Sequence, residues 1–284
     1  MSFKTVQTKI NAIIRISRPV NVIITFISII IAAVICSAGG LATGKIIITA
    51  LSGGIAAAAG NIINDYYDIE IDKINRPDRP LVSKILTPGE AVFFFTVFSF
   101  LSIVLSFFVN FTAFIIDISA LALLFIYSFK LKRTVLFGNI TVAFLTGLAF
   151  IYGGVAVDNL QFAIIPAAFA FLINLIREIV KDMEDLEGDK AAGICSFPYL
   201  YGFKRSKQVI TVFSILLIIA TFIPFIYKFY RIEYFIIVMA IVNPVIVYSL
   251  KLLFNNDTKK NLNKISLMLK LDMLFGLIAI YLGK

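Results

Sequence analysis

The sequence predicts an all-α polytopic membrane protein, nine transmembrane helices with the N-terminus cytoplasmic. Three observations predict it. Of 284 residues, 60% are hydrophobic and the mean hydropathy is +0.96, far more apolar surface than a soluble domain of this length needs. Apolar runs of roughly 18–22 residues recur along the chain, each long enough to cross a bilayer as a helix. Lys and Arg are also unevenly placed. With the N-terminus inside, segments 1–18, 68–89, 130–136, 177–207 and 251–264 hold 21 of the 26 basic residues. The outward segments hold only Lys45, Lys228, Arg231 and Lys284, and Lys270 lies within the ninth span. This is the positive-inside bias of membrane proteins. It accounts for the net charge of +9 without nucleic acid.

Taken in order, residues 1–18 form a basic amphipathic lead, expected as an interfacial helix and not a cleaved signal. The nine spans are expected at 19–37, 46–67, 90–109, 112–129, 137–154, 161–182, 207–227, 233–253 and 265–282. Arg18-Pro-Val-Asn21 opens the first, where proline suits the first helical turn. Loops 68–89 and 183–206 follow the second and sixth spans, and each is expected to contain a short helix. In the first loop, Asn75-Arg-Pro-Asp-Arg-Pro80 is turn sequence that stops a helix. Gly39-Gly40, Gly53-Gly54, Gly60, Gly147 and Gly153-Gly154 lie in or beside spans, where small residues let helices approach closely. The 28 phenylalanines read as lipid-facing or core residues. The chain is expected to be one transmembrane domain, 1–284, of two four-helix halves carrying motifs at 61–72 and 182–189.

Those motifs carry the chemistry. The spacing Asp-x-x-Asp-x-x-x-Asp occurs at Asp65/Asp68/Asp72 and again at Asp182/Asp185/Asp189, 117 positions on. Offsets of three, four and seven keep side chains on one helical face. Asn61, Asn64, Asp65, Asp68 and Asp72 fall within an arc of roughly 100° on a continuous helix, as do Asn174, Lys181, Asp182, Asp185 and Asp189. Glu70, Glu184 and Glu187 point elsewhere. Crowded carboxylates repel one another and persist when metal ions or basic side chains neutralise them. The chain has no histidine, and its two cysteines, Cys36 and Cys195, are far apart. They are expected on opposite sides of the membrane and not as a disulfide. A metal would therefore take oxygen ligands, which favours magnesium over zinc.

Two acidic helix ends at a membrane surface suit a diphosphate held through Mg²⁺, with Arg76, Arg79, Lys130, Arg177 and Lys181 neutralising the remainder. Loss of diphosphate from an allylic carbon would leave a carbocation shielded from water by an apolar cavity. The same acids could instead pair structurally with the loop basics, or serve a cation-coupled transporter. Transport would place them near the bilayer midplane, whereas these stand at the inner ends of their spans. Tyr127-Ser-Phe-Lys130 reads either as an aromatic belt with a snorkelling lysine or as a phosphate contact. Gly138-Asn139 could turn an Asn towards the cavity. Asp117 and Asp272 belong to neither cluster, and Lys270 or Lys264 are the candidate partners for Asp272.

At these residues the chain resembles the UbiA family of intramembrane prenyltransferases. Asn64-Asp65-x-x-Asp68-x-x-x-Asp72 and Asp182-x-x-Asp185-x-x-x-Asp189 look like its two aspartate-rich motifs, and Tyr127-x-x-Lys130 like its Tyr-x-x-Lys element. Cys195-Ser-Phe-Pro198 departs from the Thr-Leu-Pro more usual there. The resemblance implies helices around a central cavity with a lateral opening to lipid, and Mg²⁺-dependent polyprenyl transfer from a diphosphate. It implies that Asn61, Asn64, Asp65, Asp68 and Asp72 bind one magnesium, and Asp182, Asp185 and Asp189 another. Arg76, Arg79, Tyr127, Lys130, Arg177 and Lys181 would meet the diphosphate, and Arg18, Asn21, Lys132 and Arg133 the acceptor. Asp65, Asp68, Lys130, Asp182 and Asp185 would be catalytic, with Asp65 or Asp68 able to assist deprotonation. The wording around both motifs is most similar to members that join geranylgeranyl diphosphate to geranylgeranylglyceryl phosphate, forming the second ether bond of archaeal membrane lipids. Relatives that prenylate aromatic or quinone precursors are the alternative. The setting implied is the cell membrane, multi-pass, with a cytoplasmic active site and membrane lipid around it, and with no protein partner implied.

Overall fold

The computed structural model describes residues 3–37, 43–191 and 193–284; Gly39 and Gly40 lie outside them. Every regular element in these residues is helical. The chain divides into two compact units, 1–132 with 152–159, and 133–151 with 160–284.

The first unit contains α1 (Phe3–Ile16), α2 (Pro19–Cys36), α3 (Thr43–Tyr67), α4 (Ile69–Asn75), α5 (Pro88–Phe107) and α6 (Phe111–Phe129), together with the last residues of α7 (Phe137–Ala156). α3 is its centre and packs against α2, α5 and α6. Local chemistry sets the starts. Thr87 and Glu90 form a reciprocal capping box before α5, with Pro88 in its first turn, and the Asn110 side chain caps α6. Gly53, Gly60 and Gly153 allow the close approach the sequence predicts. A Cβ on Gly60 would meet Leu124 at 2.8 Å, and one on Gly153 would meet the Cβ of Ala32 at 2.7 Å. A buried polar cluster also joins the helices. Ser102 Oγ donates to both oxygens of Asp117 at 2.7 Å, and Ser52 Oγ lies 3.2 Å from Asp117 and 2.8 Å from the Tyr152 hydroxyl. Asp117 thus ties α3, α5 and α6. α1 buries Ala12 and Ile16 against Ile62, Leu81 and Leu86, and Lys9 and Arg15 pair with Glu90 and Asp78.

The second unit contains α8 (Ile164–Glu184), α9 (Leu186–Ala191), α10 (Phe197–Ile226), α11 (Ile232–Ile237), a π-helical turn at Val238–Val242, α12 (Asn243–Asn255) and α13 (Lys259–Gly283). α8 packs on α10 and α13, and α13 also carries α11 and α12. The span expected at 207–227 starts earlier, at Phe197. It is broken at Gly202, whose φ of 75° is left-handed backbone open to glycine. The π turn precedes Asn243-Pro244, where proline withholds a helical N–H.

Among the described residues, and counting α11, the π turn and α12 as one continuous span, eight helices are long and apolar enough to cross a membrane, so the chain is a multi-pass membrane protein. α8 has the length, 21 residues, but carries Arg177, Glu178, Lys181, Asp182 and Glu184. Both expected loop helices are present as α4 and α9.

Candidate functional site

The two aspartate motifs share one backbone device. α3 ends at Tyr67 and α4 starts at Ile69; between them Asp68 has φ −94° and ψ 3°. α8 ends at Glu184 and α9 starts at Leu186; Asp185 has φ −93° and ψ 7°. The middle acid of each triad therefore sits in the same sparsely used bridge conformation. The turn is nearly preserved across each break. Asp68 N–H donates to the Asn64 carbonyl at 3.0 Å and Asp72 N–H to the Asp68 carbonyl at 2.8 Å. Likewise Asp185 N–H reaches the Lys181 carbonyl at 2.8 Å and Asp189 N–H the Asp185 carbonyl at 3.0 Å. A single continuous helix is thus corrected to two helices meeting at the central aspartate.

In the first unit the triad is buried, with Asp65, Asp68 and Asp72 at 4%, 4% and 5% exposure. The chain's own cations neutralise it. Arg79 Nη1 donates to Asp65 at 2.7 Å and to Asp72 at 2.5 Å, and Arg18 Nη2 reaches Asp65 at 2.5 Å. Lys132 pairs with Asp68, which also accepts from Asn64 Nδ2 at 2.8 Å. Asn61 Nδ2 holds the Ser17 carbonyl at 2.9 Å, just before Arg18. Arg18 has φ 53°, a left-handed conformation uncommon outside glycine. Burial pushes the Asp72 carboxyl above the usual carboxylate range; Asp68 and Asp65 act in the same direction, and the Arg79 guanidinium opposes them. Arg18 and Lys132, expected at an acceptor's phosphate, are therefore placed on the triad. Asn21 stands in the first turn of α2, its N–H on the Arg18 carbonyl. Tyr127 and Lys130 lie at the end of α6, with Lys130 exposed, as is Arg76. No ion pair among the described residues holds Arg76 or Lys130 to the triad.

In the second unit the pairing differs. Asp182 accepts from Asn139 Nδ2 at 2.8 Å, so the Asn at the start of α7 does turn to the motif. No ion pair among the described residues reaches Asp182 or Asp185. Arg177 and Lys181 instead pair with Glu178, at 2.9 Å and 3.3 Å. Asn174 is buried, and among the described residues neither its Nδ2 nor the Nε of Arg177 has a hydrogen-bond partner. Arg133 is exposed. Glu178 is the residue the sequence reading missed. It stands four before Asp182 and three before Lys181, on the face of the motif.

Among the described residues no three acids converge as a ready-made metal cage. The donor set still fits a hard cation. Buried and half-buried carboxylate and amide oxygens without histidine or paired cysteine suit magnesium. In the first motif, Arg18, Arg79 and Lys132 occupy carboxylate oxygens that such an ion would take.

The model of the UbiA prenyltransferase family matches residues 25–272. The chain is 36% identical to the digeranylgeranylglyceryl phosphate synthase of Methanosphaera stadtmanae over 273 residues, 96% of this chain and 99% of that one. It is 37% identical to the Thermococcus kodakarensis enzyme of the same name over 269 residues, covering 94% and 96%. A solved digeranylgeranylglyceryl phosphate synthase superposes with TM-score 0.78 at 36% identity, covering 97% of this chain and 98% of that one. A UbiA homolog from Archaeoglobus fulgidus, bound to DMAPP and Mg²⁺, shares the fold with TM-score 0.63 at 19% identity, covering 94% and 98%.

Proposed function

Because the chain belongs to the UbiA prenyltransferase family, we propose that it moves a geranylgeranyl group from geranylgeranyl diphosphate to the hydroxyl of geranylgeranylglyceryl phosphate. The observation that carries this reading is its likeness, over almost the full length of both chains, to synthases named for the product. In the reaction the allylic C–O bond breaks and diphosphate leaves with the electron pair. The acceptor oxygen forms the ether bond and gives up its proton.

Magnesium, when bound, would neutralise the diphosphate oxygens and ease their departure. Asn61, Asn64, Asp65, Asp68 and Asp72 would hold one ion, and Asp182, Asp185 and Asp189 another. Arg79 and Lys132 would then leave their carboxylates for phosphate oxygens, keeping the site's charge balanced as diphosphate enters. Arg177 and Lys181 would serve the diphosphate beside the second motif, with Arg76, Tyr127 and Lys130 as further contacts. Arg18, Asn21 and Arg133 would orient the acceptor. Asn139 would fix the orientation of Asp182. The apolar spans exclude water from the cation formed.

The reading includes nine spans, the eight apolar ones and charged α8 as the sixth in chain order, one catalytic domain over 1–284, and a cytoplasmic active site. The excess of Lys and Arg in the inward segments supports that orientation. The test is transfer by purified protein from geranylgeranyl diphosphate to geranylgeranylglyceryl phosphate, followed by mass spectrometry with and without Mg²⁺. The expected result is a Mg²⁺-dependent diether phosphate. Transfer to an aromatic acceptor alone would overturn the assignment.

A further inference from the structure

Within the second unit, a partly open cavity of about 50 Å³ lies between α8, α10, α11 and α13. Its wall is apolar, with Phe150, Ile173, Leu217 and Leu277 among its residues. Asp272 is the exception. It is 1% exposed, lines the cavity, and has no hydrogen-bond partner for either carboxyl oxygen among the described residues. The expected pairing with Lys270 or Lys264 does not form. Lys270 stands two residues away on the same helix, roughly 200° around it. An unpartnered carboxyl in such a setting is costly, and in a membrane span it marks a functional position.

The cavity is not the aspartate motif seen again. On α8 its residues run from Pro166 to Ile173. They precede Asp182 by sixteen to nine positions, roughly 24 to 14 Å along the helix. Gly276 lies one turn beyond Asp272, and a Cβ there would meet nothing within 4 Å. The neighbouring hydroxyl groups are already committed. Thr221 Oγ1 donates to the Ile218 carbonyl at 2.6 Å, and the Tyr234 hydroxyl donates to the Thr221 carbonyl at 2.9 Å. A ligand must therefore bring its own donor to Asp272. A hydroxyl donates to the carboxyl in either protonation state and carries no charge into the apolar wall, whereas an ammonium would. At roughly 10–15 Å³ per water the space holds about four. That is room for a hydroxyl and a few carbons, with the rest of a chain leaving through the open side.

We propose that this cavity binds a lipid-soluble alcohol, an apolar chain whose single hydroxyl donates to Asp272. The test uses the purified full chain in detergent with a diazirine-bearing decanol and its methyl ether, which lacks the donor. Labelled residues are read by mass spectrometry. The alcohol should label the segments around Leu217 and Leu277 about fivefold more than the ether, the scale of one hydrogen bond. Gly276→Leu should cut labelling by both probes there, and Asp272→Leu should erase the difference between them. Equal labelling of the unmodified chain by the two probes would overturn the proposal without any variant. So would labelling unchanged by Gly276→Leu, or stronger labelling by the matching decylammonium probe.

Discussion

Asp68 and Asp185 hold the same backbone conformation at the same point of two motifs, so a loss at one should resemble a loss at the other. Each carboxylate stands between the end of one helix and the start of the next, and alanine there removes charge while leaving the backbone able to turn. Asp68→Ala and Asp185→Ala are each expected to lower kcat by about 10²–10³-fold, the scale of removing one electrostatic contact to developing charge. Elution of both variants as folded, monodisperse protein in detergent checks that the loss is chemical. Full activity in either removes that residue from the metal-binding role. Arg79 allows a reading that needs no turnover. Its Nη1 bridges Asp65 and Asp72, so Arg79→Ala leaves two buried carboxylates without that cation and should cost about 3 kcal/mol of stability. If magnesium takes the same oxygens, Mg²⁺ should raise the melting temperature of Arg79→Ala more than that of the unmodified chain. Equal shifts would separate Arg79 from the metal's ligands.

At the scale of the element, helix spacing carried the reading a long way and failed where one residue's backbone decides. Apolar run length located the spans at 112–129 and 137–154 within two residues of α6 and α7. It missed residues 197–206, because Pro198, Gly202 and the basic residues there are not apolar although they are helical before and after a kink. In the site, period put each triad on one face. It did not show that Arg79 and Arg18 share Asp65, since those partners lie 14 and 47 positions away and only folding joins them. Asn139 was legible as a polar residue opening an apolar span, and Glu178 was overshadowed by the regularity of the aspartates. The glycine reading is testable at this scale. α7 meets α2 at Gly153, where a Cβ would press on the Ile29 carbonyl and on Ala32. Gly153→Leu should therefore destabilise the protein by about 1–3 kcal/mol, measured as a lower melting temperature. Gly276→Leu, with open space around its Cβ, should leave it nearly unchanged.

For the molecule as a whole, the bilayer sets the constraint and charge sets the direction. Each apolar helix satisfies its own backbone, so the number of crossings fixes which loops share a side. If α8 crosses despite its charged end, the chain has nine spans and its ends lie on opposite sides. If α8 does not cross, every segment after it changes side. The positive-inside count favours the first arrangement, because it puts the basic residues at 251–264 inside with those at 1–18. Cysteine labelling separates the two. Arg231 and Lys260 are both exposed and flank the span made by α11, the π turn and α12, Arg231 just before it and Lys260 in the first turn of α13, and the native Cys36 is buried. In intact cells, Arg231→Cys should react with a membrane-impermeant thiol reagent and Lys260→Cys only after permeabilisation, in a background where Cys195 is replaced by serine. The opposite pattern would take α8 out of the membrane or reverse the chain. Either result would also separate the acids of the second motif from the cytoplasmic face on which the proposed diphosphate chemistry depends.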